Sequence, residues 1–153
     1  MTMESEYGIP FPQPRKGTVR VRDLQDAQRY APLSILRDYI YTKQAAEDLI
    51  KSILEGIPIG YLATTSKDGN TFKYLVGHQR IRTIQNFMAD ELKVNGRKYS
   101  EMCAEDRERF DQTKITMLRY TGLTDRQEED LCTASNEMHS PPARRKVRKR
   151  KFL

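Results

Sequence analysis

The spacing of apolar positions changes several times along the chain, and each change marks an element. From Thr42 onward, Ala46, Leu49, Ile50, Ile53 and Leu54 recur at the intervals of one helical face. Thr42 is a good N-cap and Gly56 a C-terminal stop, which predicts a helix over 43–55. After Pro58 the pattern turns β-rich at Ile59–Thr65, and Lys67-Asp-Gly-Asn70 signals a turn. Thr71–Val76 is a second strand, so the pair reads as a hairpin on which the 43–55 helix should pack, burying Leu49, Ile53, Leu62 and Leu75. Gly77 breaks the strand, and Ile81, Ile84, Phe87 and Met88 then share one face of a helix over 78–90.

The flanking elements are shorter. Thr18–Arg22 alternates like a strand, and Asp23–Tyr30 suits a helical turn. Glu105–Phe110 suits a short helix and Lys114–Tyr120 a strand. Thr124 and Gln127 form a capping box for a helix from Asp125 to about Met138. The class is α+β. Residues 1–17, with Pro10, Pro12 and Pro14, read as a flexible arm, 18–139 as one domain, and 140–153 as a basic disordered tail.

Charge qualifies this picture. The chain has 153 residues and a formal charge of +6, but seven cations (Arg144, Arg145, Lys146, Arg148, Lys149, Arg150, Lys151) lie in the last ten positions. Without them 20 basic residues face 21 acidic ones, so the basic character belongs to the tail. As a nucleic-acid arm the tail would confer salt-dependent DNA affinity; in a eukaryote it would read as a nuclear localisation signal. No apolar run reaches about 18 residues and no signal-peptide core opens the chain, which points to a soluble intracellular, cytoplasmic protein. Cys103, Cys132, His78 and His139 lack metal-ligand spacing, so no metal site is expected.

Chemistry concentrates at Tyr74-Leu-Val-Gly-His-Gln-Arg-Ile-Arg-Thr83. A strand ends, a glycine follows, and a helix starts with an arginine in its first turn. The first N–H groups of a helix are anion donors with the positive dipole end behind them. Gly77 permits close backbone approach, and Arg80 offers a fork for phosphate oxygens. An ordinary solvated arginine at a helix start fits the same residues, and the pattern leaves both readings standing.

Three segments together carry a family resemblance: Leu36-Arg-Asp-Tyr-Ile-Tyr-Thr42, Leu49-Ile-Lys-Ser-Ile-Leu-Glu-Gly-Ile-Pro-Ile-Gly60, and Tyr74 to Ile84. They resemble the N-terminal domain of GmrSD-type restriction endonucleases, with its upstream QR-x-Y-x-W element, LI-x-SI-L-x-G helix, PIG strand and D-G-Q-Q-R-L-T-T-L signature. Tyr99–Phe110, followed by the strand at Ile115, is similar too.

The resemblance implies a ParB/sulfiredoxin-like fold whose Gly-x-x-Arg element lies on nucleotide phosphates. Here that element would be Gly77, His78, Gln79 and Arg80, with Arg37 matching the upstream arginine. It implies a nucleoside triphosphate, with Mg²⁺ as its counter-ion, and association with DNA or a separate nuclease. The HNH-type nuclease domain of fully active relatives is not expected in 153 residues. Val76 stands where the signature has an acid, His78 where it has a Gln, Leu36 where the upstream element has a Gln, and Tyr41 where it has a Trp. Losing the acid argues for binding over hydrolysis; His78 is then the candidate proton carrier. The alternative reading is a degenerate, non-catalytic DNA-associated ParB-like module.

Overall fold

The computed structural model describes residues 8, 10–32 and 41–138, and the side chains of its last helix through residue 134. Its five strands are β1 (Arg15–Arg20), β2 (Tyr30–Pro32), β3 (Leu62–Thr65), β4 (Phe72–Val76) and β5 (Lys114–Tyr120). The helices are α1 (Lys43–Glu55), α2 (His78–Met88), α3 (Ala104–Gln112) and α4 (Asp125–Met138), with 3₁₀ turns at Val21–Gln25 and Tyr99–Glu101. This is the expected α+β class.

The best-capped element is α1. The Thr42 hydroxyl accepts from the Ala45 N–H at 3.1 Å. At the other end Gly56 sits in the left-handed region, its N–H donating to the Ile53 carbonyl while Ile57 N–H donates to that of Ser52. That pair of bonds satisfies two carbonyls that would otherwise end the helix unpaired. The Thr124/Gln127 capping box of α4 also forms, at 2.9 and 3.1 Å.

The strands make one mixed sheet in the order β1-β5-β3-β4-β2. β1 runs antiparallel to β5 and β3 to β4, whereas the β3–β5 and β2–β4 pairs are parallel. One face carries Val19, Leu62, Tyr74, Ile115 and Met117 into a core shared with Leu49, Ile50, Ile53, Ile81, Ile84, Phe87 and Phe110 from α1, α2 and α3. The other face gathers Ala63, Leu75, Val76 and Tyr120 around Leu123 and Cys132 of the α4 region. Among the described residues no helix is long and apolar enough to cross a membrane.

Several expectations change in detail. Leu49, Ile53, Leu62 and Leu75 are all buried. However, α1 packs chiefly on α2 and α3, and Leu75 is buried on the opposite face, toward α4. A register shift between Ala63 and Thr64 makes the two-faced arrangement: Val76 pairs with Ala63 while Tyr74 pairs with Thr64, so Leu75 is an extra residue in β4. The first strand starts at Arg15, earlier than Thr18, because β5 supplies a partner for every residue from Arg15 to Arg20. Val21 and Leu24, three apart and fully buried, turn the next segment into a 3₁₀ turn, and Tyr30 enters a strand in place of a helical turn. α2 ends at Met88, two residues short of its expected limit. Leu36 and Arg37, His139 and the basic run from Arg144 to Lys151 lie outside the described residues, as do residues 1–7 and 9 of the N-terminal arm.

Candidate functional site

The junction between β4 and α2 has the geometry its sequence suggested. Gly77, at φ 96° and ψ 18°, turns the chain from strand to helix, and its carbonyl accepts the first intrahelical bond from Ile81 N–H at 2.8 Å. A side chain here would be strained by the backbone and would overlap Leu62 Cδ2, so only glycine fits. The N–H groups of His78, Gln79 and Arg80 precede that bond and lie ahead of the helix's own carbonyl ladder, which makes this end of α2 a positive, donor-rich corner.

Arg80 occupies the corner in a way its sequence did not predict. Its side chain folds back to the loop entering β3: Nη1 donates to the Ile59 carbonyl at 2.6 Å and Nη2 to that of Tyr61 at 2.9 Å. The residue is only 9% exposed. Both neighbouring glycines make room for it. A Cβ on Gly60, itself at φ 91°, would lie 3.1 Å from Nη1, and one on Gly77 would lie 3.2 Å from Nη2. The guanidinium thus ties two segments together across the mouth of the hairpin and places a permanent positive charge beside the start of α2. Ile59, Gly60 and Tyr61 are the members of this corner that sequence reasoning missed. Gly60, inside the β-rich run Ile59–Thr65, was the available signal.

His78 is buried, its ring stacked with Tyr74 at 5.7 Å between centroids and 28° between planes. Burial pushes the Tyr74 phenol up. Gln79 is half-buried, and its carbonyl accepts from the Thr83 hydroxyl at 2.7 Å, a bond that stiffens the first turn. Val76, which stands at the signature's acid position, belongs to the apolar cluster on the α4 side of the sheet. Arg37 is not placed with these residues, since it lies outside the described set.

Across the 59–61 loop from Arg80 lies an open cleft of about 390 Å³, lined by Ile53, Ile57, Ile59, Tyr61, Lys114 and Ile115 among others. Ile57 and Tyr61 are large apolar side chains exposed on its wall, at 51% and 37%. Among the described residues no three His, Cys, Asp or Glu side chains gather closely enough to share a metal ion.

No curated protein matches the chain. The family model described as the N-terminal domain of GmrSD restriction endonucleases matches residues 27–151, a span holding α1, the PIG loop that Arg80 ties down, the Gly77–Arg80 corner and β5. With most of its length so matched, the chain belongs to the family of GmrSD restriction endonuclease N-terminal domains.

Proposed function

We propose that the β4–Gly77–α2 corner binds the phosphates of a nucleoside triphosphate, in a domain that serves a restriction system. The observation that carries this reading is the conjunction at one point of a left-handed glycine, the leading N–H groups of an eleven-residue helix and a fixed guanidinium. Backbone donors and the helix dipole bind the anion directly. Arg80, whose fork already holds two carbonyls, acts as a fixed source of positive potential and keeps the 59–61 loop in place. Mg²⁺ would arrive as the nucleotide's own counter-ion. Arg37, which matches the arginine of the upstream element, would be the second arginine of this site.

The proposed role is binding rather than turnover, since the position that would carry a carboxylate holds Val76. Nucleotide occupancy would then signal to DNA or to a nuclease partner, with the basic tail as an electrostatic arm. The test is calorimetric titration of the protein with ATP, GTP and CTP, with and without Mg²⁺, together with amide chemical shifts. We expect heat with at least one nucleotide and shifts centred on the N–H signals of His78, Gln79 and Arg80. No heat at millimolar nucleotide, with those signals unmoved, leaves the degenerate module as the better description.

A further inference from the structure

The β1–β5 ribbon at one edge of the sheet carries Arg15, Lys16, Arg20, Lys114 and Arg119, and not one acidic residue. Its register sets like charges directly opposite one another at both ends, Arg15 against Arg119 and Arg20 against Lys114. Such pairs repel and destabilise a ribbon. Neither of the ion pairs found among the described residues, Lys67–Asp125 and Arg109–Asp106, involves this ribbon. Apart from the tail the chain is close to neutral, so this is charge segregated to one edge.

The pleat sorts these side chains. Val19 and Ile115 are paired and buried in the core, so Lys16, Thr18 and Arg20 of β1 and Lys114, Thr116 and the half-buried Leu118 of β5 share the opposite face. Lys16, Thr18, Arg20 and Lys114 are all exposed. Arg119 is held in place: Nη2 donates to the Thr18 carbonyl at 3.2 Å, and the guanidinium lies where a Cβ on Gly17 would stand 2.8 Å from Nη1. Arg15 and Arg119 pair on the core side of the ribbon, so the outer face carries Lys16 and Arg20, four residues and about 13 Å apart at the usual strand rise, with Lys114 opposite Arg20.

We propose that this ribbon is a docking surface for the phosphate backbone of a nucleic-acid duplex. Cations spaced along a rod-like edge suit a line of phosphates. The side chains between them, Thr18 and Thr116, are hydroxyls able to donate to phosphate oxygens, as side chains that fix register on a duplex do. A membrane surface would instead want exposed apolar side chains between the cations; here Val19 and Ile115 are turned inward, and Leu118, opposite Lys16, packs against the cluster around Leu123 and Cys132. β1 precedes the residues that the family model matches and β5 lies within them, and neither strand contributes a residue to the α2 corner.

The test uses the full chain, tail included, and a duplex DNA of about 20 base pairs titrated by fluorescence anisotropy from about 50 to 200 mM salt. In the triple variant Lys16→Gln, Arg20→Gln, Lys114→Gln, the slope of log K against log salt should fall by about 2 to 3 units, at roughly 0.9 for each phosphate no longer neutralised. Affinity at the low-salt end should drop on the order of tenfold or more. The melting temperature should stay level or rise, because a like-charge pair has gone. Thr18→Lys, which adds a cation between two others, should steepen the slope by about one unit and covers the case in which the triple variant fails to fold. An unchanged slope in both variants overturns the proposal and leaves DNA affinity to the tail. So does loss of binding to phosphatidylserine vesicles or polyglutamate while DNA binding persists.

Discussion

Arg80 Nη1 donates to the Ile59 carbonyl at 2.6 Å, and this bond joins the first turn of α2 to the loop that enters β3. With the companion bond to Tyr61 it makes a structural brace of a residue whose sequence context suggested a phosphate fork. Arg80→Ala is therefore expected to disturb the fold, contrary to what the sequence alone suggested. Two carbonyls lose a charged donor, and unfolding free energy measured in urea should fall by about 2 to 4 kcal/mol. Arg80→Lys should restore only part, because an ammonium cannot span both oxygens as the planar fork does. A stability equal to wild type in Arg80→Ala would mean that the brace is dispensable.

The core side of α1 gives a second expectation. Ile53 is 2% exposed and packs in the main cluster, so Ile53→Ala should destabilise by about 2 to 5 kcal/mol, read from the urea midpoint at constant slope. A loss below about 1 kcal/mol would show that α1 is not seated as described.

These elements differ in how far the sequence announced them. α1 was legible because its stripe, its cap and its stop all lie within fifteen consecutive residues, and β5 because Ile115 and Met117 lie two apart, as one face of a strand requires. β2 was not, since its three residues are held by a parallel partner far along the chain, Phe72 to Tyr74. The Arg15–Gly17 start of β1 has poor strand propensity and forms because β5 is there to pair with it. At the site, Gly77 and the helix start were local signals. The acceptors of Arg80 lie 21 and 19 positions away, beyond the reach of any pattern rule. Strict alternation would put Val76 on the same side as Tyr74, and the extra residue in β4 sends it to the other face.

The two cysteines should separate in reactivity. Burial, reinforced by the nearby Glu128 carboxylate, pushes the Cys132 thiol up to about 11, while Cys103 is exposed. The thiolate is the nucleophile, so iodoacetamide at about pH 8 should modify Cys103 and spare Cys132 until the protein is unfolded. A thiol raised in the folded state favours folding only while protonated, so this contribution is present below the unfolded pKa and is lost as pH climbs from there toward 11. Mass spectrometry of peptides after timed labelling checks the order; equal rates in the native protein would contradict the burial of Cys132.

Gly77→Ala isolates the backbone requirement at the corner. The φ of 96° costs any residue with a Cβ about 1 to 2 kcal/mol, and the new methyl also overlaps Leu62. Trimming Leu62 to Ala removes the overlap but not the backbone strain. The double variant should therefore lose less stability than the two single losses added together, with a coupling of about 0.5 to 3 kcal/mol measured by denaturation. Strict additivity would mean that the two residues do not meet.

Val76→Asp asks whether the family's acid position can be refilled here. Val76 is 3% exposed and sits among Ala63, Leu75, Tyr120, Leu123 and Cys132, on the face of the sheet away from α1 and α2. A carboxylate in that cluster meets apolar neighbours, and burial raises its pKa above the unfolded value near 3.9 by penalising the charged form. The sign follows: below about pH 4 the side chain is neutral in both states and the cost is smallest. The cost grows as pH rises, because the unfolded chain sheds the proton before the folded one does. At neutral pH an uncompensated buried charge should cost about 3 to 5 kcal/mol, and Mg²⁺ should not recover it. Urea unfolding of wild type and variant at about pH 4 and pH 7, with and without Mg²⁺, reads this directly. Stability that rises toward neutral pH, or Mg²⁺-dependent nucleotide hydrolysis gained by the variant, would instead place the new carboxylate at the start of α2 and revive a hydrolytic site there.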